Sequence, residues 1–320
     1  MKHFYRTAVA ALLSLLLLHG ASAAAPKTLI PGGNTIGLRI ETDGVAVVDF
    51  SDDPARSAGL RCGDVLHAID GQAVKKASDV TELVKRSGGR ALKLSVLRGG
   101  EEKTLTLAPQ RTDEGWRLGV YVRDGISGIG TVTYYDSENG TFGALGHGVN
   151  DGSTLLPLRS GSVLRAEIVS VTRGKRGTAG ALQGAVSGRS PCGTILKNTP
   201  HGIFGTIDPD AQLASNALEV AQKSDVHTGE AVIRSNVSGA EVREYSVQIR
   251  AVYPDEAHGR DLLLEVTDEA LLSQTGGIVQ GMSGSPILQD GKLIGAVTHV
   301  LIDDPRSGYG IFIENMLDAA

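Results

Sequence analysis

A chain of 320 residues and 33.3 kDa has room for two domains with real cores. Its net charge of −5 and pI near 5.9 give it no basic surface and argue against nucleic acid as a partner. With 42 glycines and only 4 % aromatic residues, it favours many short strands and turns over long helices.

Lys2 and Arg6 precede an apolar run from Ala8 to Leu18, and Ala21-Ser22-Ala23 follows as a small-residue cleavage site. Residues 1–23 therefore read as an export signal. The run is about half of the ~20 residues needed to cross a bilayer. Whether it is removed or kept as a membrane anchor stays open. No cysteine lies near the site, which excludes a lipid-modified anchor, and no other segment is long and apolar enough to span. Cys62 and Cys192 fall in different halves of the chain. A disulfide between them is permitted outside the cytoplasm. Without C-x-x-C spacing they make no zinc site, so no metal or organic cofactor is implied.

After a linker of small residues, Gly32-Gly33-Asn34-Thr35-Ile36-Gly37-Leu38 leads into a strand, Leu38–Glu41, and Gly44–Phe50 reads as a second strand. Next come Asp53-Pro54-Ala55-Arg56-Ser57-Ala58-Gly59-Leu60-Arg61-Cys62-Gly63-Asp64-Val65-Leu66 and Ile69-Asp70-Gly71-Gln72-Ala73-Val74. These residues spell a short helix ending at Gly59, a tight turn at Gly63-Asp64 and a hairpin at Asp70-Gly71. This stretch resembles a PDZ domain, whose "SPAxxAGLxxGDxIxxIdGxxV" pattern it follows from about Leu29 to Ala108. The resemblance implies a peptide added as a strand between Leu38–Glu41 and a helix running from an N-cap at Ser78 to about Arg86. Ile36, Gly37, Leu38 and Ile40 would then line the groove for a partner's peptide tail. Gly99-Gly100 closes a last hairpin, and the polar stretch Gln110–Gly115 marks the end of a domain spanning 29–110.

From Trp116 to residue 320 strands dominate, among them Leu118–Val122, Gly130–Tyr135, Thr141–Leu145, Val163–Thr172, Ala231–Ser235, Tyr245–Val252 and Leu262–Val266. Short helical patches are expected near Ala211–Gln222 and after Asp268. Such a run of short strands suits a two-barrel or sandwich architecture. Near its start His147 stands in Gly143-Ala144-Leu145-Gly146-His147-Gly148, where flanking glycines leave the imidazole open to a partner. Near its end, Gly281-Met282-Ser283-Gly284-Ser285-Pro286 puts Ser283 at the apex of a tight turn. The Gly281 and Ser283 amides sit beside its hydroxyl as an oxyanion hole for acyl transfer. Ile287–Gln289, the Asp290-Gly291 turn and Lys292–Val297 follow as a hairpin. A Gly-x-Ser-Gly-x-Pro turn running into a hairpin is how chymotrypsin-like serine proteases present their nucleophile; the absence of a helix pattern after it fits an α/β-hydrolase elbow less well. The fold expected is therefore mainly β, a PDZ domain followed by a chymotrypsin-like double β-barrel serine peptidase domain.

In that arrangement His147 is the general base, and His299, one strand beyond Ser283, lines the substrate cleft. A triad also needs an acid. Asp151, Asp225, Asp255, Asp261 and Asp268 are candidates, and spacing alone does not choose among them. Two other readings compete. One is a non-catalytic adaptor whose β domain is a degenerate protease, and the other is a tail-specific protease using Lys292 as base.

The segments "RLGVYVRDGISGIGTVTYYD", "TFGALGHG", "EVTDEALLSQTGGIVQGMSGSPILQDGKLIGAVTHV" and "DDPRSGYGIFIENML" resemble the stage IV sporulation protein B (SpoIVB) peptidase family. That family has the same order of export segment, PDZ domain and peptidase domain. The resemblance implies Ser283 as nucleophile, His147 as base and Asp268 as the third member. It further implies export from the forespore into the space between its two membranes, and self-processing. The implied substrate is a membrane-bound regulator in the signalling that leads to pro-sigma-K processing.

Overall fold

The computed structural model describes residues 27–151, 154–188, 190–212, 215–254 and 259–320. The export segment, the candidate acid Asp255 and the side chain of Asp151 lie outside the described residues. No described helix is long and apolar enough to cross a membrane.

Two six-stave β-barrels form the larger part of the chain. In the first, Thr35–Phe50 pairs with Val120–Asp136, which pairs with Thr141–Ala144 and so on to Gly202–Ile207 and Gly193–Thr199. Ser160–Thr172 then closes the ring back onto Thr35–Phe50. The second barrel closes through Gly229–Ser235, Arg243–Val252, Leu262–Val266, Asp304–Phe312, Lys292–Leu301 and Pro286–Gln289. Each ring satisfies its backbone donors and acceptors without leaving an edge strand. Alternation supplies each interior: Ile36, Leu38, Ile40, Val132, Val163 and Ile195 fill the first barrel, and Ile233, Val247, Leu264, Ile287 and Val297 the second. This is the chymotrypsin-like double barrel.

The Thr35–Phe50 strand corrects the groove expected from the sequence. Leu38–Glu41 and Gly44–Phe50 are not two separate strands but parts of one long strand, with a register shift between Glu41 and Ala46. Its first half is a barrel stave bonded on both sides, to Val120–Asp136 and to Ser160–Thr172. Ile36, Leu38 and Ile40 point into the barrel core at 2 %, 6 % and 1 % exposure, and Gly37 lies in the same doubly paired run. With neither edge free, no peptide can add as a strand there. Only the second half of the strand belongs to the PDZ unit, where Val45 and Ala46 pair with Leu66 and Val65. Val120–Asp136 makes the reverse passage: Val120 and Val122 pack on the PDZ core before the strand enters the barrel. The PDZ unit is thus spliced into the connection between two adjacent staves, and a two-stranded ribbon ties it to the barrel.

Within the PDZ unit, Ala77–Ser87 is a helix with Val80 and Val84 on its buried face. It begins two residues earlier than the sequence suggested. Lys76 is its N-cap, Asp79 accepts from the Lys75 and Lys76 amides, and Gly88 ends it in the left-handed conformation. Among the described residues of the patch near Ala211–Gln222 there is no α-helix; short 3-10 turns at Pro209–Ala211 and Lys223–Asp225 bracket it. The Asp70-Gly71 and Asp290-Gly291 turns have positive φ at both residues, as a two-residue hairpin turn of this kind requires. Cys62 is exposed and Cys192 buried, and both are free thiols, so the pairing weighed from the sequence does not form.

Candidate active site

Ser283 sits where the two barrels meet. Its turn is held by Gly284 N–H donating to Val297 O (2.7 Å) and Ser285 N–H to Met282 O (2.9 Å), with Met282 fully buried beneath. From the first barrel Thr131 clamps the turn twice. Its N–H donates to Ser283 O (3.1 Å) and its hydroxyl to Gly281 O (2.7 Å).

These bonds also aim the two proposed oxyanion donors. In a trans peptide the N–H points opposite to the C=O of the same unit. The carbonyl paired with the Gly281 N–H is Gln280 O, fixed by Leu182 N–H at 2.8 Å; the one paired with the Ser283 N–H is Met282 O, fixed by Ser285. Neither Gly281 N–H nor Ser283 N–H has an acceptor among the described residues. Both residues line a cleft of about 540 Å³ between the barrels. Two pre-aimed, unspent donors beside a serine hydroxyl are what stabilises a developing oxyanion.

His147 lines the same cleft, on the loop after the Thr141–Ala144 stave. Leu145 (φ 71°) and Gly146 (φ 69°) are both left-handed. For a bulky leucine this conformation is strained by ~1–2 kcal/mol, so the fold must impose it. Two contacts do so: Leu145 N–H donates to Thr131 O (3.2 Å), and the Leu145 side chain is buried against Gly130. Gly146 lets the loop touch the second barrel, since a Cβ there would stand 2.9 Å from Thr298 Cγ2.

The imidazole is held in one tautomer. Nδ1 lies 2.9 Å from Gly148 O, and because a carbonyl only accepts, Nδ1 carries the proton and Nε2 the lone pair. Burial lowers the His147 pKa below its ordinary value of 6.5, partly opposed by the Gly148 carbonyl, so the ring is neutral at pH 7. The two ring centroids of His147 and His299 are 5.2 Å apart. Burial, then the neighbouring His147 and Arg260, push His299 down to about 4, although its side chain is open at the cleft mouth. In this conformation Ser283 Oγ donates to Thr298 O (2.7 Å) rather than to His147.

Ser283, His147, Gly281 and His299 are therefore brought together, and Asp268 is not. Asp268 is the N-cap of the Glu269–Thr275 helix, accepting from Leu271 N (2.9 Å) and Ser246 N (3.5 Å). Ser246 and Thr267 face a separate depression with Glu230 and Asp290. The third role implied for Asp268 is thus corrected to a helix cap, and the orientation an acid would give His147 comes from the Gly148 carbonyl. Asn caps as well as Asp. Asp268→Asn is accordingly expected to keep kcat/KM within about threefold of wild type, whereas loss of a true triad carboxylate costs about 10⁴-fold. Steady-state kinetics on the purified variant decides it.

The two other candidates whose side chains are described are also occupied elsewhere. Asp225 meets Lys292 (3.3 Å), and Asp261 Oδ2 accepts from Phe312 N (2.8 Å) and Asn315 (2.7 Å) at the final helix. Among the described residues no carboxylate lines the cleft, and no three His, Cys, Asp or Glu side chains are grouped to hold a metal. Lys292 pairs with Glu219 (3.0 Å) and Asp225 outside the cleft, which removes it as a base for Ser283. Thr131 was not singled out from the sequence. Its only signal there is its place in the "SGIGTVTYY" segment.

A double barrel with a serine, a histidine and two free amides in the inter-barrel cleft, joined to a PDZ unit, defines the chymotrypsin-like serine peptidase class. The family model for SpoIVB peptidase S55 matches residues 114–317, and a PDZ domain model matches 35–108. The chain belongs to the SpoIVB peptidase S55 family.

Individual relatives match over shorter stretches. The putative zinc metalloprotease LL2128 of Lactococcus lactis is 34 % identical over 99 residues, covering 29 % of this chain and 23 % of that protein. Serine protease HTRA1 of Xenopus tropicalis is 34 % identical over 73 residues, covering 22 % of this chain and 16 % of its own length. The chain spans less than a quarter of the length of these relatives. Among solved structures, the Rv3671c protease from M. tuberculosis in its active form is similar at 15 % identity and a TM-score of 0.36, covering 77 % of this chain and 86 % of that one.

Proposed function

We propose that this protein is an exported serine endopeptidase that cleaves a membrane-associated regulatory protein, and itself, between the two forespore membranes in the sporulation signalling that leads to pro-sigma-K processing. The reading rests on family membership, on the export-type residues 1–23 and, above all, on one observation. Ser283, His147 and two unspent amide donors share a single cleft.

Catalysis begins with rotation of the Ser283 side chain away from Thr298 O. His147 Nε2 takes the hydroxyl proton as Oγ bonds to the substrate carbonyl carbon, and the oxyanion accepts from the Gly281 and Ser283 N–H groups. The C–N bond then breaks, the leaving amine takes the proton from His147, and an acyl-enzyme remains. Water, deprotonated by the same Nε2, attacks the ester and releases Ser283.

Ser283→Ala is expected to lower cleavage of any protein substrate, and of the chain itself, by at least about 10⁴-fold while the fold is retained. Cleavage by that variant at the wild-type rate, followed by gel or mass spectrometry, rules the enzyme reading out. It would leave the PDZ unit as part of an adaptor.

A further inference from the structure

The walls of the cleft indicate which side chain it accepts, an inference that rests on the endopeptidase reading above. Among the described residues lining it, none is Asp, Glu, Lys or Arg. The segment leading into the nucleophile contributes Ile278 and Val279, at 2 % and 1 % exposure, and the strand behind it contributes Val300. Ile302 stands at the rim at 56 % exposure. The polar side chains along this wall, Gln280, Thr298 and His299, carry no fixed charge, and Thr298 is engaged in this conformation. Thr298 Oγ1 donates to Gly259 O (2.9 Å), and Thr298 O accepts from Ser283.

Ile278 packs against the core of the second barrel. Its Cδ1 occupies the space over Gly308, 2.6 Å from where a Cβ on that residue would stand. Bare backbone in the next strand admits the isoleucine, and the isoleucine then closes the floor. A substrate whose carbonyl oxygen sits on the Gly281 and Ser283 amides has its acyl-side Cα a bond beyond that carbonyl. Its side chain therefore falls against the Ile278–Gln280 and Thr298–Val300 walls.

We propose that the site selects peptide bonds whose acyl-side residue is a branched or medium-sized aliphatic (valine, leucine, isoleucine or methionine), with Ile278 as the specificity-determining floor. Charged side chains are rejected because no opposite charge in the wall pairs with them once they leave water. Aromatic rings are rejected because the floor is filled. The substrate is thus an extended segment that offers apolar side chains to solvent or to a cleft, rather than a charged loop.

The full chain is incubated with a peptide library made from a denatured proteome, and the new termini are mapped. In parallel its labelling by a fluorophosphonate is followed. Aliphatic residues on the acyl side are expected to be cut at least about 100-fold faster than Lys, Arg, Asp or Glu, the scale set by unpaired polar groups and missing contacts in a pocket. Ile278→Ala is expected to raise cleavage after Phe relative to Val by about tenfold. Because Ile278 is buried, the exposed Ile302→Glu serves beside it and should raise cleavage of peptides with Lys or Arg near the cut by a similar factor. Wild-type protein that labels at Ser283 yet cuts after charged residues, or without preference, overturns this specificity and leaves the peptidase reading standing. An unchanged profile in both variants overturns the assignment of these walls. Neither labelling nor cleavage overturns both readings.

Discussion

Alanine in place of Gly284 is expected to lower kcat by about 10³-fold or more and to destabilise the fold by about 3 kcal/mol. Gly284 has φ +96°, and a Cβ there would stand 2.0 Å from Thr131 O and 2.5 Å from Leu145 N. Both are backbone atoms, so neither can swing aside. Thr131 is the residue that clamps Ser283 O and Gly281 O, and Leu145 opens the strained loop that carries His147. One methyl group therefore displaces Ser283, the Gly281 and Ser283 amides and His147 together. A shift of about 1 Å in such a constellation already costs about 10²-fold, and loss of an oxyanion donor 10²–10³-fold. Steady-state kinetics and urea unfolding of the variant measure the two effects separately. Wild-type kcat would mean that the turn is not the rigid element described.

The second large effect lies outside the cleft. Asp64→Ala is expected to cost about 3–5 kcal/mol, the usual cost of removing one partner of a buried ion pair. Asp64 is fully buried and binds Arg98 through both oxygens, at 2.6 and 2.7 Å, while also accepting from Arg61 N at 2.9 Å. Arg98 additionally donates to Gly59 O (2.7 Å), tying the turn before Val65–Ile69 to the strand Leu92–Arg98. The Gly63-Asp64 motif is thus an electrostatic staple of the PDZ unit. Denaturant unfolding followed by the fluorescence of Trp116, which packs on that unit's core, reads the loss. A change below about 1 kcal/mol would mean the pair contributes no more than a surface bridge.

Local features were legible in the sequence because their causes are local. Asp-Gly turns, the glycine-proline frame around Ser283 and the helix after Asp268 each depend on a few adjacent residues, and each stands where expected. The double barrel was legible too, not from its strands, which suit a sandwich equally, but from the serine turn that runs straight into a hairpin. Partner choice was not. Ile36, Leu38 and Ile40 alternate as well for a PDZ strand as for a barrel stave, and only pairing with Ser160–Arg165, more than a hundred residues away, decides between them. Asp268 shows the same limit. An aspartate before Glu-Ala-Leu-Leu caps a helix by local chemistry, and family resemblance alone implied a catalytic role for it. Thr131 escaped notice for a related reason, since a threonine in an alternating strand carries no mark of a contact 150 residues distant.

The pairing of Ser283 with His147 is tested most directly by the rate of fluorophosphonate labelling as a function of pH, with the modified residue mapped by mass spectrometry. Burial holds the His147 pKa below 6.5, so the neutral, proton-accepting ring persists into mildly acidic solution. Labelling should map to Ser283, fall on acidification with a midpoint below pH 6.5, and slow by about 10³-fold or more in His147→Ala. Labelling of another residue, or labelling of Ser283 with an unchanged rate and pH profile in His147→Ala, would contradict the account.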